Sequence, residues 1–348
     1  MAKVLVVATS RKTRGGITSV VKAHEMGEQW KQFHCRWIQT HIDTNSMAKI
    51  CYFIKAFLLF IILLPFYDLV HIHLAAVNRK IPFVFLTKLF GKKLIIHLHF
   101  PEASTTLYDK RLSSRYYWCM KKADVVVVLS YQWKKLIENL FPDINKLIVI
   151  YNPCPKVIRN LDEKTDKYLL YAGIISHRKG FDDLIKAFAK VHKQCPGWRV
   201  VFAGNGEIDN AKQLAKMNGI EKECVFLGWV SGKDKEIVFQ NASAYCLPSY
   251  AEGFPMGVLD AWAYGLPVIT TPVGGLIDVL KPDVNALVNE PGDIDALAEN
   301  IKKITDSQLR RELSIHSIEL AESIFSVRQI CKQIGEVYKG LLNADDLI

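Results

Sequence analysis

The chain alternates short runs rich in Val, Ile and Leu with longer helical patterns, and it does so twice. The first set is "KVLVVAT", a helix over 17–30, "DLVHIH", a helix over 79–90, "KLIIHLH", 112–121, "DVVVVLS", 131–140 and "KLIVIYN". The second is "YLLYAG", "RVVFAG", "CVFLGW", "SAYCLPS", "LPVITT" and "NALVNE", again with helical patterns between. Strands apolar on both faces and separated by helices demand parallel sheets covered on two sides. At 348 residues the chain has room for two such cores. The expected fold is α/β, with Rossmann-like domains over 1–152 and 166–325 joined by a polar linker near 152–166. Such halves would face each other across a cleft and bind ligands at the carboxyl ends of their strands.

Charge divides the chain unevenly. Residues 1–150 hold 22 Lys and Arg against 9 Asp and Glu, a balance of +13, while the remainder holds 23 against 26, or −3. A basic first half calls for a polyanionic partner. No arginine-rich run or aromatic RNA-binding pattern accompanies it, so nucleic acid is set aside in favour of an anionic membrane surface. The run "FLLFIILLPF", 57–66, is apolar on every face but at ten residues is half of what a spanning helix needs. It reads as a buried helix or one lying in the membrane interface, and Lys49 and Lys55 just ahead of it favour the interface. Eight cysteines without metal spacing, and an N-terminus entering a strand pattern directly, point to a reducing cytoplasm.

The candidate site residues follow from the strand ends. GxGxxG is missing after the first strand, which argues against dinucleotide binding, and Gly15-Gly16 stands there just before a helix. The pair suits anion binding by bare amides at the helix start. Gly204 and Gly206 in "FAGNGE" fit a tight turn as well as a ligand. His71 and His73, like His97 and His99, share a strand face, with no carboxylate or cysteine at metal spacing. His99, last on its strand, is placed to meet a substrate; the other three read as structural. Arg178-Lys179 precedes a helix whose positive end should repel cations, a conflict that a bound phosphate would resolve. "YAEGF" is a strand-end loop, and "PMGVLDAWAYG" a helix with Pro255 at its first position and Gly265 at its end. Glu252, the amides of Met256, Gly257 and Val258, and Asp260 then form an acceptor, an anion site and a second acceptor. A sugar nucleotide presents sugar hydroxyls, a diphosphate and ribose hydroxyls in that order.

The stretch "LPSYAEGFPMGVLDAWAYGLPVITTPVGGLIDVL" resembles the E-x7-E region of family-four retaining glycosyltransferases of the GT-B fold. "GGITSVV", "HLHF", "VIYNP", "YAGIISHRKGFDDLIKAF" and "FAGNGE" agree with the family in order. The likeness runs over nearly the whole chain and is closest to the bacterial polysaccharide branch. It implies transfer of a hexose or N-acetylhexosamine from a nucleotide sugar to a lipid-linked glycan, with capsule or lipopolysaccharide biosynthesis as the setting. A UDP-sugar is expected ahead of GDP-mannose. Glu252 would then bind donor hydroxyls, Asp260 the ribose, and Gly257 and Val258 the distal phosphate. Gly16, Arg178 and Lys179 would clamp the diphosphate, and His99 would contact the donor sugar. Gly228 and Trp229 would meet the base, with Phe254 and Gly204 also on the donor side. No metal or other cofactor is implied, since cations and a helix dipole stabilise the leaving group. The last helix, from about 326, would cross back onto the first, acceptor-binding domain, which would sit peripherally on the inner face of the cytoplasmic membrane. The chain departs from the pattern at Asp260, usually Glu, and at Ile174, where many members carry Arg. Those departures keep an inactive partner subunit as one alternative, and a sugar-nucleotide epimerase of the same fold is the other. A glycoside hydrolase, which also needs two carboxylates, has no use for Arg178-Lys179.

Overall fold

The computed structural model describes residues 2–99, 107–159 and 166–343. The expected linker therefore lies partly outside the described residues, as do Phe100 of the "HLHF" motif and the last five residues. The chain divides into two compact units, 1–153 with 327–348, and 154–326.

The first unit is built on six parallel strands: β1 (Val4–Ala8), β2 (Arg36–Gln39), β3 (Leu69–Leu74), β4 (Lys93–Leu98), β5 (Val125–Val128) and β6 (Leu147–Val149). Their order is β2-β1-β3-β4-β5-β6. The edge strand β2, "RWIQ", is too short and too polar at its ends to stand out in the sequence. The expected helix over 17–30 is two, α1 (Gly16–Glu25) and α2 (Glu28–Gln32), broken at Gly27. A Cβ at Gly27 would lie 2.4 Å from Cys331 Cβ, so the break seats the C-terminal helix.

The helix containing the apolar run is longer than the ten residues that define it in the sequence. α3 spans Ser46–Leu63, capped by the Asn45 side chain, and continues as a 3-10 turn, Leu64–Phe66. At 21 residues it is long and apolar enough to cross a membrane by length and composition alone, which corrects the inference from run length. It packs along one face. Ala56, Phe60 and Leu64, four residues apart, are buried, and Phe53, Phe57 and Phe60 meet Phe83 edge to face. Phe83 belongs to α4 (Ile81–Leu89), and α5 (Lys110–Lys122) and α6 (Tyr131–Leu140) follow.

The second unit has strands β7 (Tyr168–Ala172), β8 (Arg199–Ala203), β9 (Cys224–Gly228), β10 (Ala244–Leu247), β11 (Val268–Thr270) and β12 (Leu287–Val288). They are parallel in the order β12-β11-β10-β7-β8-β9. This is the doubly wound arrangement whose direction reverses between β7 and β10, the place where such sheets receive ligands. Its helices are α7 (Phe181–Val191), α8 (Ile208–Met217), α9 (Gly232–Asn241), α10 (Met256–Ala263), α11 (Ile294–Lys303) and α12 (Ser307–Glu322). In α7 the buried Phe181, Leu184, Ile185 and Phe188 follow the helical period. α10 is buried from Val258 to Ala263, and Trp262 stacks on Phe325 at 5.3 Å.

At the reversal point the loops pack backbone against backbone. Gly180 has φ +70°, and a Cβ there would lie 2.0 Å from the Pro248 carbonyl oxygen. A Cβ at Gly204 would lie 1.7 Å from that of Gly173. Glycine is thus required where the ends of β7, β8 and β10 converge.

The last helix, α13 (Val327–Asn343), crosses back onto the first unit. Ile330, Ile334 and Tyr338 lie one turn apart on its buried face and join Val4, Val6, Leu69 and Ile95 in one core. Ile334→Ala should cost about 2–5 kcal/mol by leaving a cavity beneath the first sheet, read as a lower melting temperature. Gly180→Ala should cost about 1–3 kcal/mol of backbone strain, with further loss from the Pro248 clash. Thermal denaturation of the two single variants checks both; a Gly180→Ala protein as stable as the parent would show the loop to be slack.

Candidate active site

The best-formed polar cluster lies at the carboxyl ends of β7 and β10. β7 ends at Ala172, and the chain passes through a 3-10 turn, His177–Lys179, into α7. β10 ends at Leu247 and leads through Ser249 and Glu252 to α10. Glu252 is nearly buried, at 8% exposure. Its Oε1 accepts hydrogen bonds from Lys179 Nζ at 2.6 Å and Ser249 Oγ at 2.9 Å. Arg178 Nη1 lies 3.8 Å from Oε2 and also donates to the Ala251 carbonyl. One carboxylate oxygen is saturated while the other keeps room for a further donor.

Arg178 and Lys179 therefore face Glu252. The conflict with the α7 dipole is met differently from the expectation, because Asp182 and Asp183 in the first turn supply the negative charge. Asp182 pairs with His177 at 3.0 Å, and Asp183 accepts from Tyr250 Oη at 2.7 Å. The phosphate is not needed to explain the local sequence. The structure instead shows two cations converging on one buried carboxylate, with net charge +1, beside the start of α10.

α10 has no side-chain cap and no acid in its first turn. Pro255 is the N-cap, one position earlier than expected, and Gly265, with φ +72°, follows the helix end. Of the three expected amides, that of Val258 already donates to the Pro255 carbonyl at 3.1 Å, and the Val258 side chain is fully buried. Met256 and Gly257 hold the first-turn position where helix amides lack intrahelical acceptors. Asp260, a turn further on, is 9% exposed. Burial raises its carboxyl above the usual range, and Lys235 Nζ at 2.7 Å from Oδ2 opposes that rise. Lys235 comes from α9 and lies over the Phe239 ring at 5.4 Å.

Other expected contacts are placed differently. Phe254 is buried with its ring 5.4 Å from Phe325, so its side chain serves the core. Gly204 is accounted for by its contact with Gly173. Gly228 ends β9 at φ +69°, and Trp229 beyond it is partly exposed. Ile174 is exposed, and its carbonyl accepts from Tyr171 Oη at 2.9 Å. Ser249 and Lys235 are the polar partners that sequence reasoning missed. Ser249 stood in "LPSYAEGF", but nothing in the sequence marks Lys235, which meets Asp260 only through the fold.

Gly15, Gly16 and His99 belong to the first unit. Gly15 is the N-cap of α1 with φ +136°, no side-chain cap is present, and α1 carries no acid in its first turn. His99 follows the end of β4, is 7% exposed, and shares a 2.9 Å hydrogen bond from Nε2 to His73 Nδ1. Burial lowers its pKa to about 3, so the ring is neutral. Only Nδ1 is left to meet a ligand.

Comparison with known proteins places the sequence and the fold. Residues 156–319 match the family model described as glycosyl transferases group 1. An uncharacterised glycosyltransferase of Haemophilus influenzae is 29% identical over 230 residues, 65% of this chain and 63% of that protein. The lipopolysaccharide 1,6-galactosyltransferase of Salmonella typhimurium is 26% identical over 206 residues, 57% of this chain and 56% of that protein. The chain thus spans less than two thirds of the length of these relatives. Anabaena HepE, solved with UDP and glucose, superposes with a TM-score of 0.78 at 18% identity, covering 98% of this chain and 100% of that one. Residues 156–319, most of the second unit, thus match the glycosyl transferases group 1 model, and the two parallel-sheet units have the GT-B fold.

Proposed function

We propose that the protein transfers a hexose or N-acetylhexosamine, with retention, from a nucleotide sugar to a lipid-linked glycan in cell-surface polysaccharide biosynthesis. The observation that carries this reading is the Glu252 cluster, a buried carboxylate held by Lys179, Arg178 and Ser249 at the reversal point of the second sheet. Glu252 Oε2 accepts a donor-sugar hydroxyl. Arg178, Lys179 and the start of α10 stabilise the charge developing on the leaving diphosphate, so no metal is required for that step. Asp260, oriented by Lys235, takes the ribose hydroxyls. Trp229 meets the base in the same proposal. A UDP-sugar is favoured over GDP-mannose, with support from the UDP bound to the Anabaena protein.

The acceptor and membrane parts rest on the first unit. Met47, Ile50, Ile54, Leu58 and Ile61 form an exposed apolar stripe along α3, which continues to Phe66. Phe85 and Leu89 expose further apolar surface on α4, beside a groove lined by Lys88, Trp118 and Lys122. An apolar stripe with cations beside it fits an interface of anionic lipid, where the protein would dock from the cytoplasmic side. Phe57 and Phe60 face Phe83, so the docking residues are the neighbouring exposed ones.

Glu252→Gln should lower kcat/KM for the donor about 100-fold or more, with activity of the parent persisting in EDTA. Unchanged turnover would remove the site assignment. In a thermal-shift series of UDP-, GDP-, ADP- and CMP-sugars, the UDP-sugar should give the largest rise, and a larger rise with GDP-mannose would reverse the donor preference. Replacing Ile54, Leu58 and Ile62 together by Ser should reduce flotation with anionic vesicles about tenfold. Equal flotation of parent and variant would sever α3 from membrane docking.

A further inference from the structure

The histidines of the first unit, which the sequence presents as two separate pairs, form one buried layer. The parallel register sets His73 opposite His97, and strand alternation puts His71 and His99 on the same face. Ring centroids are 4.7 Å apart for His71 and His73, 4.8 Å for His73 and His97, and 4.5 Å for His97 and His99. A fifth ring, His24 of α1, lies over them, 5.5 Å from His73 and 6.2 Å from His97. None of the five is more than 7% exposed.

Each imidazole has two nitrogens to satisfy, and the layer satisfies them incompletely. His71 Nδ1 shares a 2.7 Å hydrogen bond with Tyr338 Oη, and His73 Nδ1 a 2.9 Å bond with His99 Nε2. The contact between His71 Nε2 and His97 Nδ1, 3.3 Å, is long for a hydrogen bond. Among the described residues, Nε2 of His24, of His73 and of His97 is buried without a partner. Such orphans are unfavourable when buried, and phenyl rings would stack in the same space without that cost.

We propose that His71, His73 and His97 bind one divalent cation of the zinc class, with His24 as the fourth ligand. Each of the three strand histidines offers a ring nitrogen within 4.8 Å of the other two. Two zinc–nitrogen bonds of about 2.0–2.1 Å at a tetrahedral angle set the nitrogens about 3.3–3.4 Å apart. His71 Nε2 and His97 Nδ1 already stand at that separation, and modest ring rotation brings in the others. An all-imidazole set with neither carboxylate nor carbonyl suits zinc, copper or nickel and excludes magnesium and calcium. The hydrogen bonds to Tyr338 and His99 act from outside the set, each fixing the orientation of a ligating ring. Burial holds all five rings neutral, the form that ligates. A closed site of this kind is structural. It ties β3 and β4 to α1, and it is independent of leaving-group chemistry in the second unit.

The test uses the full chain without a polyhistidine tag, expressed with zinc in the medium, and in parallel unfolded and refolded in buffered zinc, because the site is reached during folding. After dialysis, elemental analysis should find about one zinc per chain, and X-ray absorption a shell of nitrogen ligands. His97→Phe and His73→Phe keep a ring in the stack and should each lose the metal, while His316→Gln, in the other unit, should keep it. Circular dichroism of the metal-free variants confirms that they fold. A parent chain that holds no zinc, copper or nickel by either route overturns the proposal, as does zinc retained by both Phe variants.

Discussion

A parallel sheet cannot leave either face in water, and most of this structure follows from how the two sheets meet that demand. The second sheet is covered by helices from its own stretch of chain, those between its strands together with α11 and α12, which follow β12. The first cannot finish its cover locally, so α13 comes from the far end of the chain to lay Ile330, Ile334 and Tyr338 on it. Chain order and spatial order therefore part company at residue 326. In the second sheet the same demand pushes polar chemistry to the strand ends, since its strands are filled mainly with Val, Ile, Leu and aromatic side chains. The reversal between β7 and β10 is where the loops can separate enough to admit a ligand while staying fixed by the backbone packing at Gly180 and Gly204.

Glu252 gains its character from this packing. A carboxylate at 8% exposure would be costly alone, and Lys179 and Ser249 offset that cost by occupying one of its oxygens. The result is a preorganised acceptor that needs no rearrangement when a sugar hydroxyl arrives. It also places two cations beside an uncapped helix start, where a diphosphate would compete with Glu252 for Lys179 and Arg178.

Much of the architecture was legible because it rests on local patterns. β7 to β12 and the core strands of the first unit are continuous apolar runs, and α6 follows its sequence period from end to end. Glu252, Arg178 and Lys179 were legible because they stand at strand ends beside a helix. What escaped depends on contacts between distant residues. β2 exists as a strand because β1 offers it an edge, not because "RWIQ" demands it. α3 extends to Ser46 because Asn45 caps it and Phe83 holds its inner face, neither visible in the apolar run alone. Lys235 and His24 reach their partners only across the fold. Arg178-Lys179 stands out locally as a cation pair before a helix, but its immediate partner, the Glu252 carboxylate, comes from another strand end.

The two carboxylates of the motif end up unequal for a physical reason. Glu252 is held at a loop by Lys179 and Ser249 on one oxygen and Arg178 near the other. Asp260 is held within a helix by Lys235, whose ammonium opposes the rise in pKa that burial imposes. Removing that lysine would leave Asp260 buried without its counter-charge and drive it towards the protonated form, which could donate to a ribose hydroxyl but would lose an ionised acceptor. Lys235 favours the ionised form of Asp260 against the rise that burial imposes. The shorter side chain shifts part of the work of positioning from the motif itself to α9, outside the region in which the motif is recognised.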